Sequence, residues 1–478
     1  DVMKYNNLGA GSIYDKPESS ATQWSLMSYL ARINYSLYDR YLFSVNGRVD
    51  GSSRFGGNNK YGFFPSGSVA WRISEEGFME PVKAVINNLK LRTSYGFTGN
   101  TEIGVYESLA TLESNSWTIG NQLVSGFYPN RIPNPDLKWE KTGQFDIGFD
   151  LGLFNNRLRL TADYYYKKTT DLLYNVAIPS ASGYDSMLKN IGSVQNKGYE
   201  LSIESDNLSG AFSWTTAFNI SFNRNKVLEL GGETYKDVGT YDDHLKTSDI
   251  RRLIVGQPIG VFYGYRFDGI FQNEAECAQQ TSSPSPIGVG LRRYKDLNGD
   301  GKIDATNDRE ILGDANPKFF GGMTNTFAYR GFELNVFLQY SYGNKIFNYN
   351  AMELESPTGG QNVYQDLVNR WTPTNPSNEY QKATTNRNNI VSDRFIEDGS
   401  FLKLKTVSLS YSFPKLNWKH LGGLRLYVTG QNLLTWTKYR GYDPEVSYRG
   451  ASTLEAGEDF GGYPQARTFM FGIKLDIK

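Results

Sequence analysis

A single cysteine, Cys277, among 478 residues rules out an internal disulfide, and its polar, loop-like surroundings offer none of the neighbours that activate a thiol. Histidine is almost as scarce: His244 and His420 stand far apart, and no Gly-x-Ser-x-Gly, His-Glu-x-x-His or Walker-type motif occurs. Enzymes built on histidine, zinc or phosphate-loop chemistry are therefore not expected. Net charge is also lacking, since 50 Lys and Arg balance 50 Asp and Glu, so no basic field draws nucleic acid or anionic lipid. Long apolar runs are missing too, which excludes a transmembrane helix. Such a scan overlooks membrane strands, whose side chains alternate between lipid and water. The chain opens on Asp1 with no signal-peptide pattern and reads as a processed product or a fragment.

What is abundant is aromatic and small: 33 Tyr, 28 Phe and 49 Gly. The length suits two or three average domains or one large β-barrel. In "FELNVFLQYSY", Phe332, Leu334, Val336, Leu338, Tyr340 and Tyr342 share one face while Glu333, Asn335, Gln339 and Ser341 share the other. That period of two is a strand with one apolar side. It recurs in "QFDIGFDL", "RLRLTADYYY", "FSWTTAFNISF" and "FMFGIKLDIK", giving about thirteen segments of roughly 8–11 residues, the length of a tilted membrane strand. Links near Tyr38–Arg40, Phe154–Asn156, Asn207–Gly210 and Tyr329–Phe332 are short, whereas 51–65, 98–141, 167–196, 223–317, 343–400 and 433–465 are long. Alternating short and long links predict an all-β, antiparallel transmembrane barrel with long extracellular loops. Tyr and Phe near strand ends fit interfacial girdles, and Arg32, Asn34, Arg48, Arg92, Arg159 and Asp163 are expected to face the lumen.

Within the longest link, "KDLNGDGKID" spaces oxygen donors like a calcium loop: Asp296, Asn298, Asp300, the Lys302 carbonyl and Asp304, with Gly301 at the sharp turn. Asn307 occupies the last ligand position and cannot supply the bidentate carboxylate, so either Asp308 reaches in for it or the site is weaker. The loop is read as a structural staple for Ca2+ or another divalent cation, which cross-links carboxylates and removes loop entropy. The other reading is a Gly/Asn/Asp-rich turn without metal.

Several stretches, among them "YGFFPSGSVAWRISEE", "NPDLKWEKTGQFDIGFDLGLFNNRL", "DLNGDGKIDATNDREILGDANPKF" and "YVTGQNLLTWTKYRGYDPEV", resemble the SusC/RagA group of TonB-dependent outer-membrane transporters over nearly the whole chain. The resemblance implies a plugged barrel of 22 strands in the Gram-negative outer membrane. Such a barrel imports oligosaccharides or peptides, is closed from outside by a SusD-like surface lipoprotein, and is energised by TonB. Residues 1–478 would be its C-terminal barrel portion, with 223–317 an extracellular loop segment. The plug, the TonB contact and the remaining strands would come from an N-terminal part not present before Asp1, since an open barrel leaves strand edges unpaired in lipid. Two departures stand out: the family loop places its last acidic residue one position before Asp308, and the chain ends on Ile477-Lys478 where barrels tend to end on an aromatic.

Trp117, Tyr128, Tyr241, Trp371 and Tyr380 fall in predicted external segments and are candidates to stack on sugar rings or contact peptide side chains. The rival from another class is a secreted, calcium-stabilised β-rich adhesin or glycan-binding protein, which would carry polar residues on both sheet faces. A two-carboxylate glycosidase is a third reading, for which a chain this rich in acidic residues offers no discriminating signal.

Overall fold

The computed structural model describes residues 21–184, 186–239, 247, 250–356, 362–384, 389–414, 421–446, 448–450 and 452–477. Its centre is one antiparallel thirteen-stranded sheet in which each strand pairs with the next sheet strand along the chain. The sheet strands are β1 (Leu26–Leu37), β2 (Tyr41–Ser52), β3 (Tyr61–Arg72), β4 (Ile86–Asn100), β5 (Glu140–Leu153), β6 (Leu158–Thr170) and β7 (Ser193–Leu208). They continue as β8 (Phe212–Glu229), β9 (Phe319–Tyr329), β10 (Phe332–Tyr342), β11 (Phe401–Ser412), β12 (Leu421–Thr437) and β13 (Thr468–Ile477). Among the described residues β1 and β13 each pair on one side only. No helix among them is long and apolar enough to cross a membrane.

The register carries the alternation across the whole sheet. One row runs Ile33, Val45, Gly67, Tyr95, Phe145 and Tyr166 from β1 to β6; another runs Leu338, Leu404 and Leu434 from β10 to β12. A slip of one residue would invert such a row. Many of these apolar side chains face outward uncovered even on strands paired on both sides, Val45 at 62% and Tyr95 at 53% exposure. Soluble proteins rarely expose so broad an apolar face, so lipid is its solvent. The polar-on-both-faces sheet expected of an adhesin is not what the chain forms.

Short links close one end. Arg330 and Gly331 both take positive φ (45° and 90°) between β9 and β10, the backbone of a two-residue hairpin turn whose twist matches the strands. Several strands exceed the expected 8–11 residues: β8 has 18 and β12 has 17. The pairing runs past the apolar band, and the long link expected at 223–317 accordingly begins only after Glu229. Periodicity marks the lipid-facing part of a strand and is silent on its watery extension.

Candidate functional site

The inner face of the sheet is polar and internally paired. Arg92 on β4 lies 2.7 Å from Asp163 on β6, with Asp150 at 3.4 Å and Asp146 at 3.7 Å. Arg48 meets Asp50 at 2.7 Å, Arg159 meets Glu204 at 2.9 Å, and Arg32 donates to Asn34 at 3.0 Å. All six residues expected to face the lumen lie on this face, opposite the apolar rows. Near β1 to β4 it holds a cavity of about 550 Å³, lined by Arg32, Arg48, Asp50, Phe64, Phe97 and Trp139 among others. Polar groups that fix orientation, set beside aromatic walls, are the usual lining of a binding cleft.

At the other end, the described parts of three long links (within 230–318, 343–400 and 438–467) pack into one body. Lys345–Asn348 pairs antiparallel with Ile396–Asp398 and parallel with Glu458–Asp459. A separate four-stranded sheet joins Tyr235–Val238, Arg251–Ile254, Val261–Tyr265 and Arg309–Asp314. Ile250, Phe262, Phe347, Tyr349, Val391 and Phe395 form its buried core, with Phe460 packed against it. This crown was not legible as a unit in the sequence, because its core is assembled from links far apart in the chain and none of them is periodic.

Buried charges tie the crown together. Arg251 and Glu458, both essentially inaccessible, meet at 2.9 Å, and Arg251 also donates to the Gly260 carbonyl at 2.5 Å and to the Ala456 carbonyl. Burial pushes the Arg251 guanidinium below its ordinary value and the Glu458 carboxyl above its own, although each partner counteracts the shift. Glu355 accepts from Arg394 at 2.7 Å and Arg440 at 3.0 Å, and Glu397 accepts from Arg440. Burial works against the charge on Arg440, but these two carboxylates outweigh it and hold the guanidinium above its ordinary value.

The oxygen-rich loop folds on its own backbone. Asp296 accepts from the N–H groups of Gly299 (2.6 Å) and Gly301 (2.7 Å), and Asp300 from Lys302 (2.8 Å). Asp304 accepts from Thr306 and Asn307, both at 2.8 Å, and these bonds hold its carboxyl below the usual carboxylate range. Asp308 is wholly buried and accepts from Leu297 at 2.8 Å and Asp304 at 2.9 Å, clasping both sides of the loop. Gly299 and Gly301 take φ of 79° and 74°, the left-handed backbone these turns need. The donor atoms are oxygens, as a hard cation requires. Among the described residues, however, no three His, Cys, Asp or Glu side chains gather closely enough to hold a metal.

The five aromatic candidates separate. Trp117 and Tyr128 stand exposed on a hairpin of Thr111–Ile119 and Gln122–Arg131, with Tyr128 donating to Glu113. Trp371 is half-buried, donates to Gln272 at 3.0 Å and pairs by its backbone N–H with the Tyr380 carbonyl. Tyr380 is buried beneath the Arg394 guanidinium. Tyr241 lies outside the described residues. Lys403 on β11 went unnoticed in the sequence: it is 2% exposed and grips Asp443 and Glu445. Only its inward place in an alternating strand signalled it.

Comparison with known proteins agrees with this architecture. The model of the family described as TonB dependent receptor-like, beta-barrel matches residues 2–269. TonB-dependent receptor P3 of Formosa agariphila is 41% identical over 99% of this chain and 48% of its own length. TonB-dependent receptor SusC of Bacteroides thetaiotaomicron is 32% identical over 96% of this chain and 44% of its own. A solved structure of the RagAB peptide transporter superposes with a TM-score of 0.82 at 27% identity, covering 98% of this chain and 49% of that one. The chain spans about half the length of the curated relatives it matches. These are receptors rather than enzymes, and by its family model, its relatives and its sheet the chain belongs to the TonB-dependent receptor β-barrel family of the Gram-negative outer membrane.

Proposed function

We propose that the chain is barrel and crown of a TonB-dependent importer that carries oligosaccharides or peptides across the outer membrane with a SusD-like lipoprotein. One observation carries the reading: an apolar belt runs in register around a polar, internally paired face, and a crown with its own core stands on the long-link end. That arrangement suits a passage with a rigid outer vestibule. Support comes also from the relatives, one a SusC receptor and one a peptide transporter. The exposed rings of Trp117 and Tyr128 are candidate contacts for substrate or lid. The TonB contact, the plug and the remaining strands belong, on this proposal, to the part of the protein outside this chain. A permanent lid would bury a large area against the crown.

A divalent cation on the 296–308 loop is part of the same proposal. Asp296, Asn298, Asp300, the Lys302 carbonyl and Asp304 would supply oxygens, and the carboxylates retain lone pairs beside the N–H groups they accept from. The ion would draw together side chains that now close separate turns.

Purification of the native complex from detergent-solubilised outer membranes, with mass spectrometry of every chain and small molecule, tests the import reading. Recovery of a plug-bearing polypeptide and a lid lipoprotein is the expected result. A chain found soluble and detergent-free would overturn it.

A further inference from the structure

Lys403 fixes the last long link onto the inner wall. Its ammonium sits 2.6 Å from both Asp443 Oδ1 and Glu445 Oε2, and Lys405 reaches Glu445 at 3.1 Å. Gln339, opposite Lys403 on β10, donates to the other Glu445 oxygen at 2.9 Å. Residues 443–445 are therefore strapped against the polar side of β10 and β11, at the crown end. Beside this strap lies a cavity of about 120 Å³ whose lining includes Tyr442, Asp443, Glu445, Asp459, Tyr463 and Gln465. Tyr442 is 81% exposed and Tyr463 93%. Both tyrosines line this one polar hollow.

We propose that this hollow binds one unit of a neutral oligosaccharide, a deepening that rests on the import reading. At ~30 Å³ per water the space equals about four waters, enough for one edge of a sugar ring while the ring faces lie against the tyrosines. Flat, amphipathic rings give contact area at little entropic cost. The floor is rich in acceptors: each carboxylate has about four lone-pair sites, so Asp443, Glu445 and Asp459 have room for hydroxyl donors beyond their present partners.

Lysines already occupy the carboxylates of the strap: Asp443 and Glu445 are offset by Lys403 and Lys405, while Asp459 accepts from the Tyr439 hydroxyl and keeps its charge. A basic side chain entering here would compete with lysines built into the wall, whereas a hydroxyl needs only spare lone pairs.

Titration calorimetry on the full-length protein in detergent tests this, with neutral gluco-, manno- and galacto-oligosaccharides as probes and a lysine-rich peptide as comparator. Binding of a neutral oligosaccharide is expected, weakened about tenfold or more (about 1.4 kcal/mol) by Y442A/Y463A and retained by Y442F/Y463F, which keeps both rings. The proposal is overturned if none of the sugars binds, if the alanine pair binds sugar like the parent, or if only the peptide binds. Cellular uptake of the bound sugar is read separately: binding without uptake sinks the import reading and leaves this site, and uptake unaffected by the alanine pair with unchanged binding does the reverse.

Discussion

Arg92 on β4 and Asp163 on β6 join across an intervening strand, two guanidinium nitrogens each 2.7 Å from a carboxylate oxygen. They meet over Gly148 of β5, where a Cβ would lie 2.1 Å from Asp163 Oδ1 and 2.8 Å from the Ala162 carbonyl oxygen. The same device recurs on β7, where the Tyr165 hydroxyl reaches Asn223 at 3.1 Å over Gly198. On β9 the Tyr340 hydroxyl reaches the Asn219 carbonyl at 2.8 Å over Gly321. Glycine here is a window through which strands two apart are tied, adding lateral stiffness to a sheet whose ladder bonds link only neighbours.

Gly148→Ala is therefore expected to lower thermal stability by about 1–2 kcal/mol, the loss of a partly screened charge-assisted bond. Loss of heat-modifiable gel mobility at a lower temperature than the parent would show it. An unchanged transition would mean that Asp163 swings aside freely and that the window is not needed.

Glu458→Gln is expected to strike the crown and spare the sheet. It leaves Arg251 charged, inaccessible and without its anion, a defect costing about 3–5 kcal/mol. Limited proteolysis should cut the link 438–467 faster while barrel mobility on gels stays as in the parent. Equal protection of the two proteins would show that the Gly260 and Ala456 carbonyls suffice to hold Arg251.

Strands were legible and the crown was not, for one physical reason. Phe145, Ile147 and Phe149 alternate with Gln144, Asp146 and Asp150 because lipid and water impose a period of two on the chain itself. Phe262, Phe347 and Phe395 obey no local period, since their neighbours come from other links. For the same reason exposure could not be read off residue type: Trp117 and Tyr380 look alike in sequence, yet one is open and the other buried. Lys403 is visible as an inward position of a strand, but its two carboxylates lie forty and more residues away.

Alkaline pH should loosen the crown through Tyr294. Burial pushes its hydroxyl up to about 12 from an ordinary value of 10.0. Between these values the unfolded chain has released the proton and the folded one keeps it. Stability is then full below pH 10 and declines toward pH 12, by up to about 3 kcal/mol. Among the described residues the hydroxyl has no hydrogen-bond partner, so Tyr294→Phe should be near neutral in stability at pH 7 and flatten this decline. Unfolding midpoints across the alkaline range decide it; identical slopes for both proteins would refute the assignment.

Asp308 and the outer carboxylates of its loop should respond differently to calcium. Asp308→Asn removes one of two acceptors clasping the Leu297 and Asp304 N–H groups, and is expected to cost about 1–3 kcal/mol with or without calcium. Asp300→Asn, on the exposed side, should cost little without calcium but abolish any rise in melting temperature that calcium brings to the parent, because binding to the folded state alone stabilises it by mass action. Acid adds a third test: the depressed Asp304 carboxyl contributes stability present above the ordinary carboxylate range and lost as pH falls through its folded value. Calcium that leaves the parent's melting temperature unmoved at neutral pH would reduce the loop to a turn held by its own backbone.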